Sequence, residues 1–169
     1  MHKYDFSKYD YTRSLLFCWP TGVWKTYQAN NIIWSYKNDK FSEKLQAYSI
    51  SDAHFKQLIK SNMLILRKPD EYTSDIRNYP LEMMLKCAVL LYDDLGVSDV
   101  SDAYLRDFTY IIDERIKKWL PTIYTTNLTK DELQTKLNER IVSRVLYNTD
   151  VVVFTWEDKR LATTQYFKN

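Results

Sequence analysis

The chain has 169 residues, with 24 basic and 22 acidic side chains and a formal net charge of +2. Its longest apolar run, the six residues from Cys87 to Tyr92, is far below the roughly 18 that a membrane-spanning helix needs. The first ten residues lack the hydrophobic stretch of a signal peptide, and two cysteines are too few for a disulfide framework, so a single domain in the reducing cytoplasm is expected. Glycine occurs only 2 times and tryptophan 5 times, where average usage of roughly 7% predicts about 12 glycines.

Short apolar runs alternate with helical patterns along the chain, the signature of βαβ units around a parallel sheet. Ser14 to Cys18 reads as a buried strand, followed by a helix from Lys25 to about Lys40. Leu45 to Ile50 alternates like a strand, and Ser51 or Asp52 caps a helix running to about Lys60. Leu66 to Pro80, with two prolines and many charges, reads as irregular surface, and Leu81 to Lys86 as the end of a helix. Cys87 to Tyr92 is the most apolar strand, buried on both faces. A long helix is expected from Ser98, with Leu105, Phe108, Ile112 and Ile116 on one stripe. Pro121 to Thr125 is another strand. Thr129 and Glu132 then form a capping box that opens one helix carrying Leu133, Leu137, Ile141 and Val145. Asp150 to Phe154 is the last strand. The expected architecture is a three-layer α/β domain over residues 1–169, with a five-stranded parallel sheet and ligands at the carboxyl ends of the strands. Residues 1–13 form a short extension and 161–169 a tail.

The residues after the first strand are Trp19-Pro20-Thr21-Gly22-Val23-Trp24-Lys25-Thr26. A phosphate-binding loop reads G-x-x-x-x-G-K-[ST] between a strand and a helix. Lys25 and Thr26 occupy its Lys and Thr positions, but both of its glycines are tryptophans here. That loop works because consecutive N–H groups form an anion nest at a helix N-terminus with no side chain in the way. The match alone is therefore ambiguous. The apolar strand ends in Tyr92-Asp93-Asp94-Leu95-Gly96, the hydrophobic run and acidic pair of a Walker B motif. Asp93 is placed to hold Mg²⁺ through water and Asp94 to orient or deprotonate an attacking water. Paired acids at a strand end also serve as helix caps or solvated turns.

With these motifs in order, LLYDDLG, KKWLPTIYTTNLTKDEL, NERIVSR and VVVFTWEDKR resemble the AAA+ core of the DnaC/DnaI-type helicase loaders, a core shared by the IstB transposition helper ATPases. The similarity runs from about Ser14 to Arg160. It implies a P-loop NTPase fold with a minimal or absent lid, binding ATP and Mg²⁺. It implies a nucleotide cradle from Trp19 to Thr26, with Lys25 on the phosphates, Thr26 and Asp93 on Mg²⁺, and Asp94 at the catalytic-base position where many relatives have Glu. It further implies Asn127 as the sensor of the γ-phosphate and Arg144 as an arginine finger acting on the next subunit. Arg140 would support that interface, and Arg160 would be a second sensor arginine. Arg140 and Arg144 also fit a solvated i,i+4 face beside Glu139. The implied partners are a second copy of the chain, a replicative helicase and single-stranded DNA, with no membrane. An IstB-like role beside a transposase is the alternative. Loaders carry a helicase-gripping region ahead of this core; about 13 residues precede the first strand here, so that element is expected to be absent or encoded elsewhere. His2 and His54 are isolated and are assigned neither to catalysis nor to a metal. Cys18 and Cys87 fall on strands that the family's sheet order separates, so both are expected as free thiols.

The tryptophans fall at informative places. Trp19 and Trp24 take the two loop glycine positions. Trp119 sits where relatives turn from helix to strand, at the usual glycine C′ position, and Trp156 also matches a frequent glycine. Trp34 has no such expectation. The codon UGA is read as glycine in some genetic codes and as tryptophan in others, so glycine written as tryptophan is one reading of this pattern. Genuine tryptophans at 19 and 24 would instead imply a nucleotide-binding-deficient AAA+ scaffold.

Overall fold

Strands of five or six residues with apolar side chains on both faces can be buried only between two layers of helices. The computed structural model, which describes residues 6, 9–18, 24–38, 47–61, 79–154 and 162–164, has this arrangement. In chain order the elements are β1 (Ser14–Cys18), α1 (Trp24–Asn38), β2 (Ala47–Ser51), α2 (Asp52–Lys60), α3 (Tyr79–Lys86), β3 (Val89–Asp93) and α4 (Asp102–Lys117). They are followed by β4 (Thr122–Thr126), α5 (Lys130–Leu137), α6 (Glu139–Val145), β5 (Thr149–Phe154) and β6 (Ala162–Thr164). The sheet order is β2-β3-β4-β1-β5-β6. The first five strands pair parallel and β6 pairs antiparallel with β5.

The two-residue period of the strands divides the core in two. Leu15, Phe17, Val89, Leu91, Ile123 and Val152 face Ala29, Ile32 and Ile33 of α1. Leu16, Leu90, Tyr92, Tyr124 and Val151 face the other way, onto Phe55 and Leu58 of α2, Met84 of α3, Phe108 and Ile112 of α4, and the α5–α6 pair. The three-layer α/β expectation therefore holds. Cys18 and Cys87 are free thiols, and β4 stands between β1 and β3.

Four local expectations need correction. The final strand is β6, not β5; three residues, Ala-Thr-Thr, are too few to show an alternating pattern. The long helix starts at Asp102, not Ser98, because Ser101 caps it by accepting from the Tyr104 N–H. Its buried stripe is Tyr104, Phe108, Ile111, Ile112 and Arg115, with Leu105 and Ile116 at the margin. The strand begins at Val89 because Cys87 still donates its N–H to Met83 at the end of α3. The helix opened by Thr129 is two helices. The Thr129–Glu132 capping box forms as expected, but Asn138 takes φ 65° and its side chain caps α6 by accepting from the Ile141 N–H. Leu133, Leu137, Ile141 and Val145 remain buried across the break. Most of the stretch read as irregular surface, residues 66–78, lies outside the described residues, while Pro80 sits in the first turn of α3, where its missing N–H costs no helical bond.

Arg115 on α4 ties the amino ends of β3 and β4 together. It is 1% exposed, and its guanidinium donates to Thr122 Oγ1 at 2.9 Å, Met84 O at 2.8 Å, Cys87 O at 2.9 Å and Pro121 O at 2.7 Å. None of these partners is a carboxylate. Losing the fork would orphan carbonyls in the interior, at about 1–3 kcal/mol each.

Trp119 ends α4. Its N–H donates to Ile116 O and the Leu120 N–H donates to Arg115 O, the two bonds of a Schellman motif, which needs a left-handed residue at C′. Trp119 supplies it at φ 55° with its indole 72% exposed, so the side chain contributes little packing against the strain. Trp119→Gly is expected to raise stability by about 1–2 kcal/mol in urea unfolding, and a drop would show that the indole packs usefully after all.

Candidate functional site

The carboxyl ends of β1, β3 and β4 lie side by side on one edge of the sheet, with β4 in the middle. That edge collects most of the described candidate residues. Lys25 and Thr26 are the second and third residues of α1, Asp93 and Asp94 end β3, and Asn127 follows β4.

Lys25 is 3% exposed and its ammonium donates to Asn127 Oδ1 at 2.7 Å. Burial lowers its pKa, while Asp94, the Cys18 thiol and Asp93 pull in the opposite direction. Burial likewise lifts the Cys18 thiol to about 11 despite Lys25, so Cys18 carries no thiolate at neutral pH. Thr26 Oγ1 donates to Asp93 Oδ1 at 3.0 Å, and the same carboxylate oxygen accepts from Thr125 Oγ1 at 2.5 Å. Thr125 Oγ1 in turn accepts the Asp94 N–H at 2.9 Å. Asp94 has φ 60°, a left-handed conformation that Asp tolerates better than most residues. Asn127 Nδ2 reaches its carboxylate at 3.5 Å. The Asp94 carboxyl is held above its ordinary value by burial first and by Asp93 second, with Lys25 opposing.

The turn beyond Asp94 requires the second glycine. Gly96 has φ 81°, and a Cβ there would meet Leu128 at 2.9 Å and Leu133 at 3.2 Å. Lys136 Nζ closes over the turn, donating to Gly96 O at 2.7 Å.

This donor set suits a magnesium-bound polyphosphate. A hydroxyl and a carboxylate on neighbouring elements are the hard oxygen donors that Mg²⁺ takes, in small number, alongside water and phosphate. An ammonium at a helix N-terminus suits the phosphate charge. Among the described residues no cluster of three or more His, Cys, Asp or Glu side chains is assembled for a metal.

Other candidates stand apart. Arg144 on α6 donates from Nε to Asp113 Oδ1 at 2.6 Å and from Nη1 to Arg140 O at 3.0 Å, and neither partner belongs to the Lys25 group. Arg140 is exposed. Trp24 is the first residue of α1 and is not among the positive-φ residues. Glycine's conformational freedom is thus not what that position requires; only the bulk of the indole opposes a phosphate there. The indole is 43% exposed and packs edge-on against Tyr27 with ring centroids 5.7 Å apart. Trp19, Pro20, Thr21, Gly22, Val23, Trp156 and Arg160 lie outside the described residues. Sequence reasoning missed Thr125 and Asp113. Thr125 stands two residues before Asn127 at the end of a strand beside β3, which is signal enough once the sheet order is known. Asp113 gives no local sign, lying 31 positions from Arg144.

No family model matches the sequence, and no curated protein matches it. Solved structures do match the fold. The DnaC helicase loader is 23% identical with a TM-score of 0.68, covering 89% of this chain and 84% of that one. DnaI is 22% identical with a TM-score of 0.64, covering 89% and 79%. The replication initiator DnaA bound to AMPPCP and single-stranded DNA is 15% identical with a TM-score of 0.66, covering 86% of this chain and 41% of that one. The chain therefore shares the α/β fold of the DnaC and DnaI structures.

The raised Asp94 pKa has a definite sign for stability. An acid whose folded value lies above its unfolded value loses stability as pH rises between the two, and the full penalty persists above the folded value. Asp94→Asn, which also tolerates φ 60°, is therefore expected to be more stable than the parent at pH 7. The advantage should shrink as pH falls and vanish below about 3.9, the ordinary aspartate value. Urea unfolding at several pH values tests it, and a variant less stable at pH 7 would mean that attraction to Lys25 outweighs burial.

Proposed function

We propose that this chain binds ATP with Mg²⁺ at the carboxyl edge of its sheet and hydrolyses it as one AAA+ module of a DNA replication assembly. The observation that carries this reading is the buried Lys25 ammonium on Asn127, beside the Thr26–Asp93 hydrogen bond. Four motif residues separated by as many as 102 positions meet at one edge in the roles their chemistry suits.

Lys25 neutralises the transferred phosphoryl group, and its burial strengthens that effect by excluding water. Thr26 and Asp93 would hold Mg²⁺, which would supply charge neutralisation at the phosphates. Asp94 takes a proton from water, and its raised pKa brings it nearer to the range where a carboxylate is an effective base. Asn127 holds Lys25 through its oxygen and reaches Asp94 through its nitrogen, so it links the cation to the base. Arg144 belongs to the neighbouring subunit's site, making the oligomer the active form; its pairing with Asp113 keeps a guanidinium ready at the surface. The fold likeness to a helicase loader and to an initiator bound to single-stranded DNA supports a replicative helicase and single-stranded DNA as partners.

A second reading has its own observation. The exposed Trp24 indole at the start of α1 stands where a phosphate would approach, which favours a scaffold that no longer binds nucleotide. Binding of a fluorescent ATP analogue by the chain and by its Trp19→Gly/Trp24→Gly form, each with and without Lys25→Ala, separates the two. Lys25-dependent binding by the glycine form alone, with UGA codons at 19 and 24, marks the tryptophans as recoded glycines; no Lys25-dependent binding by either form establishes the scaffold.

Arg144→Ala should leave nucleotide affinity within about twofold while hydrolysis falls by about 10³ or more. Normal turnover in that variant would reduce Arg144 to a surface ion-pair residue.

A further inference from the structure

Asp52, the first residue of α2, is fully buried and its two oxygens serve different partners. Oδ1 accepts from the Tyr92 hydroxyl at 3.0 Å and from the Tyr104 hydroxyl, tying β3 and α4 inside the core. Oδ2 accepts the Ser98 N–H at 2.8 Å. The charge sits at a helix N-terminus with three donors, which compensates its burial.

Ser98 closes the turn that Asp94 opens. The Val97 N–H donates to Asp94 O at 3.1 Å, and the turn is pinned at its start by Thr125, over its middle by Lys136 and at its end by Asp52. Asp94 at φ 60° holds a sparsely populated conformation, of the kind that persists only where the surroundings over-determine it. Asp52 also sits next to Ser51, whose register partner on β3 is Asp93. One carboxylate therefore connects the end of β2, the end of β3 and the far end of the turn that bears the second acid.

We propose that Asp52 is a positioning residue for Asp94: through Oδ2 and the Ser98 N–H it holds the 94–98 turn in the shape that keeps the Asp94 carboxylate beside Asn127, and so sets turnover rather than nucleotide binding. This rests on the reading of Asp94 as the base for ATP hydrolysis. Oδ1 serves the core and Oδ2 serves the site, so the two roles can be separated by substitution.

Asp52→Asn keeps the size of the side chain, removes the charge from both contacts and leaves one acceptor oxygen for three donors, so the hold on the Ser98 N–H weakens in either amide orientation. Tyr104→Phe removes one donor to Oδ1 and leaves Ser98 in place. Both are compared with the full chain for kcat, for affinity towards a fluorescent ATP analogue with Mg²⁺, for urea stability, and for amide exchange over residues 94–98. Asp52→Asn should lower kcat by about tenfold to a hundredfold, the scale of a misplaced catalytic group, keep affinity within about twofold, and speed exchange of the turn; Tyr104→Phe should lose stability yet hold kcat within about twofold. Unchanged kcat and exchange in Asp52→Asn, or an equal loss of kcat in Tyr104→Phe, overturns the proposal. If Asp52→Asn does not fold, Ser98→Pro, which deletes the N–H and also fixes φ at residue 98, must show the same loss of kcat and the same faster exchange. Absence of Lys25-dependent turnover in the parent chain would defeat the ATPase reading instead, and the exchange of the turn would still decide whether Asp52 holds it.

Discussion

The order β2-β3-β4-β1-β5 of the parallel strands is the constraint from which the rest of the structure follows. Parallel strands need crossover connections, and those crossovers cover both faces with helices. All five carboxyl ends therefore share one edge. Placing β4 between β1 and β3 puts Thr125 and Asn127 within reach of Lys25 and Thr26 on one side and of Asp93 and Asp94 on the other. The resulting bonds, Thr26 and Thr125 on Asp93 and Asn127 on Lys25, are consequences of strand order more than of local sequence.

Two buried charges hold the strands at opposite ends. At the amino ends of β3 and β4, Arg115 gathers carbonyls and a threonine hydroxyl, with no carboxylate among the described residues. At the carboxyl end of β3, Asp52 gathers two tyrosine hydroxyls and one N–H. Both groups are expensive to bury and are satisfied by several hydrogen bonds, which makes them intolerant of single replacements. The edge between β3 and β4 is thereby rigid at its base and defined at its rim, a suitable support for a lysine and two carboxylates that would otherwise repel or wander.

The scarcity of glycine has two different meanings in this fold. At Trp119 the backbone itself requires a left-handed residue, and the large exposed indole fills a position that glycine fills without strain. At Trp24 the backbone is helical, so only the volume of the side chain conflicts with a phosphate. Where glycine does stand, at Gly96, φ 81° strains any side chain and a Cβ would press on Leu128 and Leu133. Composition raised the question, but only dihedral angles separate these cases.

Much of the fold was legible in the sequence because burial on two faces leaves continuous apolar runs, as in Leu15 to Cys18 and Val89 to Tyr92, and because Ser51 and the Thr129–Glu132 pair act on their nearest neighbours. The break at Asn138 was hidden, since Leu133, Leu137, Ile141 and Val145 keep the same spacing on either side of it. β6 was hidden because three residues show no period. Of the site, Lys25, Thr26, Asp93, Asp94 and Asn127 were readable as motif residues, since each follows a strand or opens a helix. Thr125, Asp52 and the Asp113 partner of Arg144 were not, because they act on residues 31 to 46 positions away. The sequence by itself determined the elements and the chemical groups at their ends, because propensity, capping and periodicity are local. Only the tertiary structure decided which of those ends meet, because strand order and burial are settled by the packing of the whole sheet.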